Sequence, residues 1–222
     1  MFSTVVLCIY IGGYMSSDLP QTGRLQALPG SVEQLRGFAS GGFLFAVMDG
    51  CYSPEVIARI QAVAPEHIIP LLKNRDADAG MAPHLIEVNP PILDFMVSAV
   101  GPGPWGVFAM SKAGLETLRI HFRRFLVVEV PGGEQWYFRY YDPRLLPIYL
   151  ANCEEWELRK FFGLVRGFGI PIMQENKFVI VQGPPALDTS DPRSDTDPYV
   201  SLVWRIRPEQ VMALNQVHSK EL

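Results

Sequence analysis

Residues 136–146 read WYFRYYDPRLL, and this stretch places five aromatic side chains and two arginines within eleven residues. Successive side chains of a strand face opposite sides, so Tyr137, Arg139 and Tyr141 would share one face of a strand here. Aromatic residues are enriched in strands because they pack well on a half-buried pleated surface. The stretch therefore predicts an amphipathic strand with an aromatic and basic face.

The end of the same stretch predicts a corner between that strand and a helix. Asp142 is a favoured helix N-cap and Pro143 is a favoured first helical residue. Arg144 can pair with Asp142, and the Arg139 guanidinium can lie over a neighbouring tyrosine ring. The simplest interpretation is a structural corner, and a ligand site is the alternative.

The surrounding sequence predicts an α/β (α+β) fold. Ser31 and Gln34 have the spacing of a capping box, which indicates a helix start. Residues 43–48 form a continuous apolar run bounded by turn residues, which is typical of a buried strand. Residues 125–130 and 135–140 flank a Pro-Gly-Gly-Glu turn and predict a hairpin. Because strands and helices alternate in the first half, we expect a mixed β-sheet flanked by helices, with a central antiparallel hairpin.

Two later helix starts are also predicted from capping residues. Ser111 precedes a segment with helical apolar spacing and is interpreted as its N-cap. Asn152 and Glu155 have capping-box spacing for a helix that Gly163 ends.

The chain divides into one main domain and its appendages. We interpret residues 1–24 as a poorly ordered or misannotated extension, because Met15 is an equally good start. An uncleaved export signal is the alternative, although no basic residue precedes Arg24. Residues 25–182 are predicted to form the α/β domain, residues 183–198 a mobile acidic loop, and residues 199–222 a final strand and helix.

Composition and charge narrow the class of partner. The formal net charge is −4 and the pI is about 5.6, which disfavours a nucleic-acid partner. The three cysteines, Cys8, Cys51 and Cys153, lie far apart, which argues against a disulfide framework or a zinc site and favours a reducing cytoplasm. No cofactor motif, metal-ligand spacing or membrane span is recognisable in the sequence.

A basic cluster late in one predicted helix has two interpretations. Arg119, His121, Arg123 and Arg124 could form a solvated face near a helix C-terminus, where cations are favourable. The alternative is a docking patch for an acidic partner.

Titratable residues elsewhere leave an enzymatic alternative open. Asp49 ends a predicted strand, where catalytic carboxylates often lie, although an Asp-Gly turn is the more economical interpretation. A spatially assembled active site would need groups such as Asp49, His84, Cys51 and Glu87 to converge in one cleft.

Several segments, in this order, resemble the type VI secretion effector-chaperone (adaptor) family. They are residues 45–50, 85–88, 103–108, 115–125, 138–144 and 161–165. The resemblance extends over residues 43–166. It implies a cytoplasmic, non-catalytic protein without cofactor or metal that binds a toxic effector and helps to load it onto the VgrG spike protein.

For such a binding protein, we expect aromatic and arginine side chains to contact the cargo. The predicted contact residues are Tyr137, Arg139, Tyr141, Arg144, Arg119 and Arg123. A small α/β enzyme and a toxin-neutralising immunity protein remain the alternative functions.

Overall fold

Strands and helices alternate along the residues that the computed structural model describes, 25–72, 82–101, 103–172, 177–184 and 203–218. The strands are β1 Gln26–Gly30, β2 Leu44–Met48, β3 Ile68–Pro70, β4 His84–Glu87, β5 Gly106–Ser111, β6 Val127–Glu129, β7 Gln135–Tyr137, β8 Val165–Ile172, β9 Lys177–Gln182 and β10 Trp204–Arg205. The helices are α1 Val32–Ser40, α2 Pro54–Val63, α3 Pro90–Ala99, α4 Leu115–Arg123, α5 Leu146–Ala151, α6 Glu155–Phe162 and α7 Pro208–His218, with a 3₁₀ turn at Pro65–His67. The predicted extension 1–24 and residues 185–198 of the predicted acidic loop lie outside the described residues.

A seven-stranded sheet forms the centre of the fold, in the order β1-β9-β8-β5-β2-β4-β3. All its neighbouring strands pair antiparallel. A smaller sheet has the order β10-β6-β7, in which β6 and β7 form the predicted hairpin and β10 runs parallel to β6. The predicted fold class, helices flanking a sheet with an antiparallel hairpin, is confirmed, and the mixed pairing occurs in the small sheet.

The large sheet divides the core into two layers, as the side chains of its buried strand β2 show. Leu44 and Met48 pack with the apolar side chains of α1, α2 and α3 on one face of the large sheet. Phe45 and Val47 point to the other face, where they meet a largely aromatic cluster from α4, α5, α6 and the small sheet. This alternation follows from the two-residue period of a strand, and it sets the aromatic segment 136–146 against the second face.

Local capping explains where several helices start, although two predicted caps are wrong. The Ser31 Oγ accepts from the Gln34 backbone N–H, as the capping box predicts. The α6 capping box uses Glu154 and Glu157 instead of Asn152 and Glu155, because the chain makes one more turn after α5. The N-cap of α4 is Gly114, whereas the Ser111 hydroxyl donates to the Leu164 carbonyl at 2.8 Å.

The corner after β7 also differs from the prediction. The strand ends at Tyr137, and α5 begins only at Leu146 with Leu145 as its N-cap. The Asp142 side chain instead accepts from the Arg144 backbone N–H at 2.9 Å, so Asp142 and Pro143 shape a turn that precedes the helix. The reason is that Tyr140 and Tyr141 both pack into the same aromatic cluster, whereas successive side chains of a strand face opposite sides.

Candidate protein-binding site

A tight turn directs the Arg139 side chain towards the end of β2. The Phe138 N–H donates to the Leu126 carbonyl at 2.8 Å, which is the last link of the hairpin. The Arg139 carbonyl then accepts from the Asp142 N–H at 2.9 Å. The buried side chains of Phe138 and Tyr140 on either side hold the segment in the aromatic core.

The Arg139 guanidinium pairs with Asp49, at the end of β2. One nitrogen, Nη2, donates to the Asp49 Oδ2. Asp49 is only 2% exposed, and its Oδ1 accepts from the Cys51 backbone N–H at 2.9 Å. A buried carboxylate is costly unless it is paired and hydrogen-bonded. The pair therefore ties the aromatic segment to the central strand.

Two tyrosines complete this arrangement. The Arg139 Cζ lies 5.9 Å from the centre of the Tyr141 ring, a cation–π distance that the sequence predicts. The Tyr137 and Tyr141 hydroxyl oxygens are 3.3 Å apart. Burial raises the pKa of both phenols, so both hydroxyls stay neutral near pH 7 and can act as hydrogen-bond donors.

The outer part of this arrangement faces solvent. The Arg139 side chain is 43% exposed and Tyr137 is 47% exposed. A guanidinium carries five N–H donors, and among the described residues the Arg139 donors have one hydrogen-bond acceptor, Asp49. We call Asp49, Tyr137, Arg139 and Tyr141 the Arg139 surface. It presents guanidinium N–H donors that have no acceptor among the described residues. These donors lie beside the Tyr141 ring, on an arginine side chain that Asp49 already holds in place.

Arg144, another predicted contact residue, stabilises the turn before α5 by pairing with Asp142. Its Nε and Nη2 donate to the two carboxylate oxygens of Asp142 at 3.0 and 2.8 Å. Asp142 is 1% exposed, whereas the Arg144 side chain is 28% exposed. The predicted pairing is confirmed, and this bidentate geometry holds the guanidinium close to the main chain.

The basic cluster on α4 does not form one solvated face. Arg119 is 7% exposed and pairs with Glu116, and His121 is equally buried with its Nε2 at 2.9 Å from the Phe161 carbonyl oxygen. Burial lowers the pKa of His121 to about 4, so this ring is neutral near pH 7. Arg123 and Arg124 are exposed. The cluster is therefore split between two buried side chains and two exposed ones.

Asp49 is the member of the site that was not predicted as a contact residue, because its sequence context indicated only a turn or a catalytic carboxylate. The Asp49-Gly50 pair was sufficient to predict a turn. The partner of the Asp49 carboxylate, Arg139, lies 90 residues away in the chain. The available signal was a carboxylate at the end of a fully apolar strand together with an arginine inside an aromatic segment. Buried charges are almost always paired, so the two residues are natural partners.

Of the titratable residues required for an enzymatic site, Asp49 and Cys51 lie together, whereas His84 and Glu87 lie apart from them. His84 is opposite Met48 in the sheet and contacts Gln61 of α2, on the α1–α3 face. Asp49 contacts Arg139 on the other face. Glu87 is opposite Phe45, four residues from Asp49 and hence about 13 Å along the strand. No three His, Cys, Asp or Glu side chains of the described residues could hold a metal ion.

Residues 44–160, just over half of the chain, match the family described as Domain of unknown function (DUF4123). The chain belongs to this family. The DUF4123 match contains both Asp49 and Arg139, together with the whole segment between them. No curated protein and no solved structure matches the chain significantly. Within the described part of this DUF4123 protein, none of the helices has the length and apolar character needed to cross a membrane.

Proposed function

We propose that this DUF4123 protein is a non-catalytic adaptor that binds a type VI secretion toxin effector in the bacterial cytoplasm and helps to load it onto the VgrG spike. The observation that carries the proposal is the overlap of two ranges. The resemblance to the effector-chaperone family extends over residues 43–166, and the DUF4123 match covers residues 44–160. The segments that carry the resemblance therefore lie almost entirely within the family domain.

The Arg139 surface has the physical properties of a protein-binding anchor. Arginine and tyrosine are enriched among the residues that dominate binding energy at interfaces. The contact between Asp49 and Arg139 and the cation–π contact with Tyr141 hold the arginine before a partner arrives. A preorganised side chain loses less conformational entropy on binding. We assign the first cargo contact to Arg139 and Tyr137.

The test is capture of the effector encoded beside this protein. Tagged wild-type protein should retain the effector, with or without VgrG, and Arg139→Ala should weaken that retention at least tenfold, as expected for the loss of an anchor. The matched control is Arg59→Ala, because Arg59 is an exposed arginine of α2, the helix on the opposite face of the sheet.

Truncation of the captured toxin separates the alternatives. An adaptor should retain the delivery region of the toxin, whereas an immunity protein should retain its catalytic domain. Retention of neither the effector nor VgrG by the wild-type protein would contradict the proposed function.

A further inference from the structure

The hairpin strand β7 is the outer strand of the small sheet, and its outer side is open among the described residues. Val130 N–H donates to the Glu134 carbonyl at 2.9 Å, and Phe138 N–H donates to the Leu126 carbonyl at 2.8 Å. In an antiparallel pair, hydrogen-bonded residues alternate with residues whose N–H and C=O groups point away. The main-chain groups of Gln135 and Tyr137 therefore point away from β6.

The neighbouring strand shows that this alternation holds. The Glu129 carbonyl, opposite Gln135, points away from β7 and accepts from the Ile206 N–H at 2.9 Å. On that side of β6 the outward groups are used by the segment that follows β10. On the β7 side, the equivalent groups of Gln135 and Tyr137 are available to a partner.

The open strand is only three residues long, and it carries no lysine, proline or β-bulge that would block strand pairing. Natural edge strands are commonly blunted by lysine, proline or a β-bulge. β7 consists of Gln135, Trp136 and Tyr137, all three are exposed, and its register with β6 is regular. Trp136 and Tyr137 are 38% and 47% exposed, so side-chain contacts with an added strand would also bury aromatic surface.

The charges near the Tyr137 end of β7 favour an acidic occupant. Val127 lies opposite Tyr137, and the exposed Arg123 and Arg124 lie four and three residues before Val127. No carboxylate of the described residues forms a salt bridge with either arginine. The half-exposed Arg139 lies two residues after the end of β7.

The geometry points to strand addition: β7 takes an extended, acidic segment of a partner protein, whose main chain pairs with Gln135 and Tyr137 and whose carboxylates meet the arginines near Tyr137. This inference rests on the proposed adaptor function and specifies how the cargo is held. Main-chain pairing supplies the affinity in such complexes, and side-chain pockets supply the specificity. The extended acidic segment would bind beside Arg139, so that the Arg139 surface and β7 form one continuous contact.

The test uses a nine-residue peptide of alternating glutamate and valine, carrying a fluorescent label, and its lysine–valine counterpart. Gln135→Pro removes an outward N–H and spares the hydrogen bonds between β6 and β7, because proline is tolerated where an edge strand's N–H faces solvent. Gln135→Ala is the matched control, since it removes the side chain and keeps the N–H. Wild type and Gln135→Ala should bind the acidic peptide, and Gln135→Pro should bind it at least tenfold more weakly.

Amide hydrogen exchange provides a second measurement at single residues. The Gln135 and Tyr137 amides should be slowed by the acidic peptide, whereas the Trp136 amide, already directed at β6, should change little. Equal peptide affinity of Gln135→Pro and Gln135→Ala would overturn strand addition, as would a preference for the lysine–valine peptide. If Gln135→Pro still captures the full effector as well as wild type does, the adaptor function stands and strand addition is abandoned.

Discussion

Two buried carboxylates, Glu157 and Asp49, each pair with an arginine from a distant segment, yet their surroundings differ. Glu157 is 1% exposed and accepts from the Arg207 Nε at 3.1 Å, from the Gln210 Nε2 at 3.2 Å and from the Glu154 backbone N–H at 2.6 Å. Arg207 Nη2 also donates to the Asn152 carbonyl at 2.7 Å. The donors and acceptors of this pair are satisfied inside the protein.

The pair of Asp49 and Arg139 leaves more of its arginine unused. The Arg139 side chain is 43% exposed, against 31% for Arg207, and a tyrosine ring covers one side of it. The Glu157 pair attaches β10 and α7 to α5 and α6, whereas the Asp49 pair holds an arginine ready at the surface. A pair of a buried carboxylate and an arginine can therefore connect segments inside the protein or leave part of the arginine exposed, depending on how many of its donors the interior uses.

Removing Arg207 should have the largest effect on stability. Arg207→Ala leaves the buried Glu157 without its cation, and breaking such a pair costs about 3 kcal/mol of unfolding free energy. The control is Arg205→Ala, because Arg205 forms an exposed bridge with Glu129 and should contribute less than about 0.5 kcal/mol. Urea unfolding measures both. A similar small loss in the two variants would mean that the Glu157 pair is not the attachment described here.

Lowering the pH should reduce the stability of the folded protein, because the buried His121 side chain is a base. The pKa of His121 is lowered from 6.5 to about 4, mainly by burial. Between these values the unfolded chain binds the proton and the folded chain does not, so stability is lost as the pH falls from 6.5 towards 4, by about 2–3 kcal/mol. His121→Gln should flatten this dependence. If the variant loses as much stability as wild type between these pH values, His121 is not the source of the acid sensitivity.

Removing Arg139 should cost less stability than removing Arg207. Arg139→Ala leaves Asp49 with only the Cys51 N–H, and we expect a loss of about 1–2 kcal/mol because the arginine is partly solvated. The double variant Asp49→Asn/Arg139→Ala should recover most of this loss, since no buried charge remains. Thermal unfolding gives both values, and a loss as large as that of Arg207→Ala would remove the distinction between the two pairs.

Replacing either of two tyrosines, Tyr149 and Tyr140, by phenylalanine should change the stability of the protein in opposite directions. The Tyr149 hydroxyl accepts from the Trp204 Nε1 at 2.8 Å, whereas the buried Tyr140 hydroxyl has no hydrogen-bond partner among the described residues. Tyr149→Phe should therefore lower stability by about 1 kcal/mol, and Tyr140→Phe should raise it by up to about 1 kcal/mol. Calorimetric unfolding of the two variants measures both changes. A loss of stability in Tyr140→Phe would indicate that the Tyr140 hydroxyl has a hydrogen-bond partner.

Local signals predicted much of the fold. The capping box at Ser31 and the apolar run that became β2 are confirmed because they depend on residues within a few positions of one another. The hairpin of β6 and β7 is confirmed for the same reason. The predicted start of α5 at Asp142 is wrong, because burial of Tyr140 and Tyr141 in the aromatic core shortens the strand before it.

Part of the candidate site could be predicted from the sequence. The contact of Arg139 with a neighbouring tyrosine and the pairing of Arg144 with Asp142 are confirmed, since both join residues two apart in the chain. The burial of Arg119 was not predicted, because a charged side chain is seldom buried unless it is paired and its pairing with Glu116 was not foreseen.

The sequence by itself determined the local elements, the fold class and the aromatic, arginine-containing character of segment 136–146. Only the tertiary structure decided that Arg139 reaches Asp49 and that Arg207 pairs with Glu157. It also decided that no described strand covers the outer side of β7. The physical reason is distance along the chain. Patterning and capping act over a few residues, whereas the pairing of a buried charge depends on which segments the sheet brings together.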